Sequence, residues 1–546
     1  MYSIKDISFL ITALVLSGVL WFGMLGYRDL TDSDEGRYAQ IPAEMVASGD
    51  WITPRLNDLK YFEKPVLQYW ATAVFYELFG KSNTSARLWT ALTGFALALF
   101  AAFTALQLYG GRAAIFAFSI TISSMMFVVF GHLLNLDMSL SFFLVAAVAS
   151  LVIAQKPVGS DAWARNWMLL SWGFLALATL TKGPVAVVLA AGTLIFYSIW
   201  QRDLALWKNI HLLKGVFLFF LITAPWFIAV SLKNEEFAQF FFIHEHFERY
   251  TSEVHDRPGP VYYFIPYLIL GLCPWLASSL KSLFAPGFSW MPGNPGEFNA
   301  NRFLWTFVVF TIVFFSIGQS KLPGYVLPVL PVIAILSSAG LAQIRQVGAD
   351  RWVLLILGLL ILAASFNLER MTTESYPREQ WQAYLPWLQA GALFMFAGAA
   401  GLIALKNKPV RAYLSAALLT LLAFQCLVLG FNSLSESRSG RVLADVIETS
   451  VPSGTPVFSI RAYSESAVFY LNRPVTLVQY LGELEMGIEQ EPEKYIETLD
   501  EFVQKWQSLD QAALIIKVRT YREFKLESLP GKIVYQGPKR MVIIRS

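Results

Sequence analysis

Charge is what this sequence has least of. Of its 546 residues, 55% are hydrophobic and only 15% are Asp, Glu, Lys or Arg, whereas a soluble domain carries roughly 25%. A mean hydropathy of +0.50 means more apolar surface than a water-facing fold can bury, so lipid must be part of the solvent. The net charge is +3, and the basic residues are scattered rather than clustered. That excludes the electrostatic footprint of a nucleic-acid binder. The two cysteines, Cys273 and Cys426, lie inside apolar runs. They read as buried free thiols and argue against a disulfide framework or a thiolate metal site. Repeats and low-complexity tracts are absent.

What is present is a series of long apolar runs. A spanning helix needs roughly 20 mostly apolar residues. Such runs lie at about 8–27, 88–109, 113–131, 137–154, 167–181, 184–200, 214–232, 261–283, 303–318, 323–343, 352–367, 385–405 and 412–432. The first is too long for a signal-peptide core, and Arg28-Asp29-Leu30 follows it instead of a small-residue cleavage site. It is expected to stay as an anchor. With the N-terminus inside, the short cytoplasmic loops collect Lys5, Arg112, Lys156, Arg165, Arg202, Lys208, Lys214, Arg345, Arg351, Lys406, Lys408 and Arg411, as the positive-inside rule requires. About thirteen spans then place the loops 28–87 and 233–260, and everything after 432, on the outer face.

From residue 433 the apolar runs shorten to strand length. Strands are expected at 456–460, 475–479, 513–517, 532–535 and 541–544, and helices at about 438–449, 463–471, 493–508 and 519–526. The fold class is therefore an α-helical polytopic membrane protein, 1–432, followed by a soluble α/β domain, 433–546. That domain has no glycine-rich phosphate loop and no nucleophile elbow.

Charge returns in the outer loops. The stretch Thr31-Asp32-Ser33-Asp34-Glu35-Gly36-Arg37-Tyr38-Ala39 leads into an apolar stripe through Ile41, Met45 and Val46. Ser33 is positioned to cap a helix starting at Asp34, and Asp34, Arg37 and Tyr38 would share one face. An amphipathic helix lying in the membrane interface is expected, ended by Gly49-Asp50-Trp51. A second begins after Tyr61-Phe62-Glu63-Lys64-Pro65. Asp34 is a candidate general base or metal ligand. Lys182 and Lys321 are cations at the outer face, against the charge rule, and with Lys64 and Arg249 they suit a phosphate group. The segment His244-Glu245-His246-Phe247-Glu248-Arg249-Tyr250 falls short of a zincin motif, since Glu248 stands where the second histidine belongs. Asp137 begins a span and reads either as its cap or as a functional acid.

These residues carry a resemblance. Asp34-Glu35-x-Arg37-Tyr38-Ala39, Ala47-Ser48-Gly49-Asp50-Trp51, Tyr61-Phe62-Glu63-Lys64-Pro65, Leu136-Asp137, Thr181-Lys182-Gly183, Glu245-His246-x-x-Arg249, Pro274-Trp275 and Lys321-Leu322-Pro323-x-Tyr325 follow in order along the whole chain. Together they resemble the bacterial aminoarabinose transferases that modify lipid A, which are GT-C glycosyltransferases related to protein O-mannosyltransferases. The resemblance implies a multi-pass protein of the bacterial inner membrane, read as a monomer, with its active site facing the periplasm. The reaction it implies is inverting transfer of 4-amino-4-deoxy-L-arabinose from undecaprenyl phosphate to a lipid A phosphate, conferring resistance to polymyxin and cationic peptides. No nucleotide takes part. It further implies Asp34 as the central acid, with Asp137 as a second. Lys64, Arg249, Lys182, Arg37, Tyr61, Lys321 and Tyr325 would bind the donor phosphate and line its approach. Zinc would be held by Glu63 with His244 or His246.

The implied chemistry agrees with the residue types. A phosphate leaving group is already a stable anion and needs cations rather than a proton donor. Asp34 would favour an oxocarbenium-like transition state, and would matter more as a base for a hydroxyl acceptor than for a phosphate. Transfer to protein or to another glycan is the alternative. A transporter would place its charges at mid-membrane instead.

Overall fold

The computed structural model describes residues 4–156, 160–248, 259–283, 296–524, 526 and 529–545, apart from the side chains of 4, 5 and 246–248. Every expected apolar run is helical. The runs correspond to Ile4–Phe22, Asn83–Tyr109, Gly111–Ser123 with Met125–His132, Asp137–Ala154, Asp161–Lys182, Val185–Gln201, Leu212–Lys233, Phe264–Leu272 with Leu276–Leu283, Ala300–Ile317, Pro323–Val326 with Val329–Leu341, Asp350–Ser365, Arg378–Ala404 and Pro409–Gly430. Lipid offers no hydrogen bonds, so the backbone must satisfy itself, and only the helix does so within one segment. Buried hydroxyls follow the same logic: Thr121 and Thr193 donate to the carbonyls of Ala117 and Leu189, each at 2.7 Å.

Among the described residues, seven helices are long and apolar enough to cross a membrane individually. The pair 111–132 is bent by 60° at Ser124, and the run 261–283 is interrupted at Cys273-Pro274. The two breaks face each other. Met125 N donates to Cys273 O at 3.0 Å, and Trp275 Nε1 donates to Ser123 Oγ at 2.9 Å. Each interruption supplies partners to the other, which is how broken helices persist at membrane depth.

The loop after the first span is structured throughout. It holds the helix Asp34–Ser48, a hairpin of β1 (Arg55–Leu56) and β2 (Leu59–Lys60), and the helix Leu67–Phe79. Asn57 and Asp58 turn the hairpin at φ 58° and 61°, a left-handed pair that Asn and Asp tolerate best after glycine. The first helix begins at Asp34 as expected, but the Ser33 side chain makes no capping bond. It closes at Gly49, φ 71°, whose N–H donates to Met45 O.

The C-terminal region forms a six-stranded sheet in the order β5-β4-β3-β6-β8-β7. The strands are β3 Val457–Ile460, β4 Thr476–Val478, β5 Tyr495–Ile496, β6 Ala512–Lys517, β7 Lys532–Gln536 and β8 Arg540–Arg545. β3 to β6 are parallel, and β8 runs antiparallel to β6 and β7. The five expected strands are present. The expected helix 493–508 instead begins at Leu499, because the short β5 precedes it.

The loop helix Asp34–Ser48 does not lie in the interface as a surface helix. It is buried on nearly all sides. Ile41, Met45, Leu56 and Leu59 share one apolar core with Leu443, Ile447, Val468 and Leu471 of the C-terminal region. Gly36 leaves no room for a Cβ against the backbone of Ser466, so the two helices meet at closest approach there. The first loop and the C-terminal sheet thus form one layer over the helix ends.

Candidate active site

The site is built from the position of the loop helix. Glu35, 3% exposed, is held by both ends of the loop. It accepts from Arg87 Nε at 2.8 Å and Nη2 at 3.1 Å, from Arg28 Nη2 at 3.3 Å, from Leu134 N at 3.1 Å, and from Thr31 N and Oγ1 at 3.2 and 3.1 Å. Burial alone would raise this carboxyl, but the two guanidiniums and the Leu134 N–H bring it well below the usual carboxylate range. Arg87 and Arg28 also donate to the carbonyls of Leu25, Arg28, Asp29 and His132. The clamp anchors the helix to the ends of the spans.

Two residues on, Arg37 connects the loop to the sheet. Its guanidinium contacts Asp34 at 3.2 Å, Glu465 at 3.8 Å and, more closely, both carboxylate oxygens of Glu483. It lies 5.8 Å from the Tyr38 ring centre and 6.0 Å from that of Tyr61. The expected shared face of Asp34, Arg37 and Tyr38 is therefore formed. Asp34 is the exposed member, with a side chain 62% accessible. The hydroxyls of Tyr61, Tyr69 and Tyr463 are buried with no hydrogen-bond partner, so this wall has unused polar groups. Glu465 and Glu483 follow the carboxyl ends of β3 and β4, where open α/β sheets present ligands. Burial, then the charges of Asp32 and Glu483, push the Glu465 carboxyl well above its ordinary value. Beneath it, Asp32 accepts from Ser466 N at 2.9 Å and Ser464 Oγ at 2.9 Å and pairs with Arg540 at 2.6 Å.

Lys64 supplies the cation next to this acidic group. Its Nζ donates to Glu63 O at 2.8 Å and Glu245 Oε2 at 3.2 Å, with Glu63 Oε2 at 3.7 Å. A second cluster lies at the adjoining helix ends. Lys182 is in close contact with Asp137 and stands 4.9 Å over the Tyr325 ring. Asp137 therefore acts as an ion-pair partner and makes no side-chain cap. Gly324 is required because any Cβ there would run into the Asp137 carboxylate. Lys321 is buried and donates to Gly318 O at 2.7 Å. Ser139, two residues after Asp137, donates through Oγ to Gln68 Oε1 at 2.8 Å.

Of the expected zinc ligands, Glu63 lies beside Lys64, and His244 packs against Phe240 at 5.3 Å between ring centres. The His246 side chain and Arg249 lie outside the described residues. Among the described residues, no three His, Cys, Asp or Glu side chains are grouped to hold a metal ion.

Several residues were not singled out from sequence. Glu35, Arg28 and Arg87 could have been suspected from the arginines, which break the outer-face charge rule. Glu465, Glu483, Asp32 and Arg540 carry no local signal, because their partners are hundreds of residues away.

Comparison with known proteins agrees with this architecture. Residues 443–545 match the family described as Aminoarabinose transferase C-terminal domain, and residues 7–241 match Dolichyl-phosphate-mannose-protein mannosyltransferase. An undecaprenyl phosphate-alpha-4-amino-4-deoxy-L-arabinose arabinosyl transferase of Shewanella sediminis is 32% identical over 383 residues, 68% of this chain and 67% of that protein. One from Aeromonas hydrophila is 31% identical over 404 residues, covering 72% and 71%. The crystal structure of ArnT from Cupriavidus metallidurans bound to undecaprenyl phosphate superposes with a TM-score of 0.91 at 33% identity, covering 98% of both chains. With its helical bundle, its roofing loop and its C-terminal sheet, the chain belongs to the undecaprenyl phosphate-aminoarabinose arabinosyl transferases, membrane glycosyltransferases of the GT-C class.

Proposed function

We propose that the chain transfers 4-amino-4-deoxy-L-arabinose from undecaprenyl phosphate to a phosphate of lipid A. It would do so as a monomer at the periplasmic face of the bacterial inner membrane, and the product would resist polymyxin and other cationic peptides. The observation that carries the sugar assignment is the surplus of acids around Arg37. Asp34, Glu465 and Glu483 all face one guanidinium, beside tyrosine hydroxyls with no partner. A sugar bearing an ammonium group matches that surplus, whereas beside a neutral sugar the buried Glu465 carboxyl keeps its proton. The relative crystallised with undecaprenyl phosphate supports the carrier.

In the reaction, an acceptor phosphate oxygen attacks the anomeric carbon. The bond to the donor phosphate breaks, and its electron pair leaves with undecaprenyl phosphate. Lys64 takes that charge by exchanging a carboxylate partner for the phosphate, and Lys182 does the same from Asp137; their present ion pairs support this reading. Arg249 is proposed as a third cation and Lys321 as a fourth. Tyr61 and Tyr325 line the sugar and carrier approaches. Asp34, exposed and 3.2 Å from Arg37, stabilises positive charge on the sugar ring. A zinc ion would be held by Glu63 with His244 or His246. A bound ion would supply a Lewis acid to the phosphate, but the Glu63 carboxylate is already close to Lys64.

The test is full-length protein in vesicles with undecaprenyl-linked aminosugar and lipid A. Lipid A should gain the mass of one aminopentose, and Asp34→Ala should abolish the gain. The match of residues 7–241 to protein mannosyltransferases favours a second reading. Labelled protein with unchanged lipid A would establish that one instead.

A further inference from the structure

The end of the bundle opposite the site carries a cavity of about 340 Å³ between the first helix and the helix Pro409–Gly430. These two helices are joined at both ends. On the site side, Asp29 N donates to Asn432 Oδ1 at 2.9 Å. On the far side, Arg411 Nη2 meets Asp6 Oδ1 at 2.8 Å. A helix of 19 residues is about 28 Å long, so the cavity lies at the other membrane surface. Asp6, Phe9 and Leu10 line one wall, and Lys408, Val410 and Arg411 the other. The Arg411 guanidinium lies 5.7 Å over the Phe9 ring. Arg411 and Asp6 are both about one-third exposed.

We propose that this cavity binds an anionic phospholipid of the leaflet opposite the catalytic face. Lys408 and Arg411 would hold the headgroup phosphate, and the first acyl carbons would lie along Phe9, Leu10 and Val410. Among the described side chains the charge is complementary: Lys408 and Arg411 line the cavity with one carboxylate, Asp6, at the positive end of a helix. The walls below them are apolar, as a lipid requires and a soluble anion does not. Basic pockets between spans are the recognised form of such sites. Asp6 is the competing anion, and it takes the place of the phosphate when the lipid is absent.

The test is native mass spectrometry of the full chain in detergent, titrated with phosphatidylglycerol, with phosphatidylcholine and inorganic phosphate as competitors. The double variant Lys408→Gln/Arg411→Gln should bind phosphatidylglycerol about thirty-fold more weakly, given that each basic residue contributes a factor of about five. Asp6→Asn should bind it several-fold more tightly, because Arg411 is released. Arg202→Gln, a cation elsewhere on the same surface, should leave affinity unchanged. Equal affinity in wild type and the double variant would overturn the proposal. So would weakening by Asp6→Asn, which would make the ion pair a structural bridge. Displacement by inorganic phosphate would assign the cavity to a free anion, and displacement by phosphatidylcholine would remove the charge selectivity.

Discussion

The clamp on Glu35 allows a quantitative test of how the site is held. Six donors converge on this carboxylate, and the side chains of Arg28 and Arg87 are 5% and 1% exposed. Replacing Glu35 with alanine leaves two buried guanidiniums without their counter-charge. Breaking one partner of a buried ion pair costs about 3–5 kcal/mol, a large part of a total stability of about 5–15 kcal/mol. The loss should appear as a lower melting temperature in detergent and as lost transfer activity, because the loop helix carries Asp34 and Arg37. Glu35→Leu combined with Arg87→Met should recover at least about 2 kcal/mol relative to the sum of the single changes, since it removes both charges of the tightest pair. The depressed Glu35 carboxyl also sets a pH dependence. Its contribution is complete above the unfolded value near 4.3 and is lost as pH falls toward the folded value, so Glu35→Gln should abolish that part of the acid lability. A single variant as stable as wild type, or strictly additive singles, would refute the clamp.

Other expectations follow from the same geometry. Lys64→Ala should weaken donor phosphate binding by about 10- to 100-fold, the worth of a charged hydrogen bond, and Arg249→Ala should act in the same direction. Asp34→Asn should lower turnover more than affinity, and equal donor affinity in all three would contradict the phosphate assignment. Glu465 has a raised carboxyl value, so an ammonium-bearing donor should bind more tightly as pH rises and displace a proton; Glu465→Gln should flatten that profile, and a profile unchanged by the substitution would exclude the pair from sugar binding. EDTA should reduce turnover less than Lys64→Ala does, whereas full loss restored by zinc would transfer the charge-neutralising role to a metal. Gly324→Ala should disrupt the Lys182–Asp137 pair and reduce activity at least tenfold, about the effect of a 1.4 kcal/mol distortion; wild-type turnover would show that the close approach is not needed.

How much was legible in the sequence depended on range. The apolar runs gave every bundle helix, because length and hydropathy are local properties that lipid selects directly. Asp34, Arg37 and Tyr38 were placed on one face by helical spacing alone, and 3.2 Å between Asp34 and Arg37 is the result. The breaks at Ser124 and Cys273 were not legible, since Met125 N finds its partner in Cys273 O, 148 residues away in chain order. Nor was the hairpin at Asn57-Asp58 identified, although that dipeptide is a usable turn signal. The loop helix looked like an interfacial one because sequence cannot tell lipid from a protein core as the cover of an apolar stripe.

The sequence by itself therefore determined a bundle in lipid, an outer layer bearing acids and cations, and the motifs of a glycosyltransferase family. Only the tertiary structure decided which acids besides Asp34 face Arg37, and that they come from the far end of the chain. Glu465 and Glu483 stand after β3 and β4 in the parallel part of the sheet. Their place beside Asp34 comes from apolar burial between Ile41, Met45 and Leu471, a nondirectional force that leaves no local pattern at the charged residues it brings together.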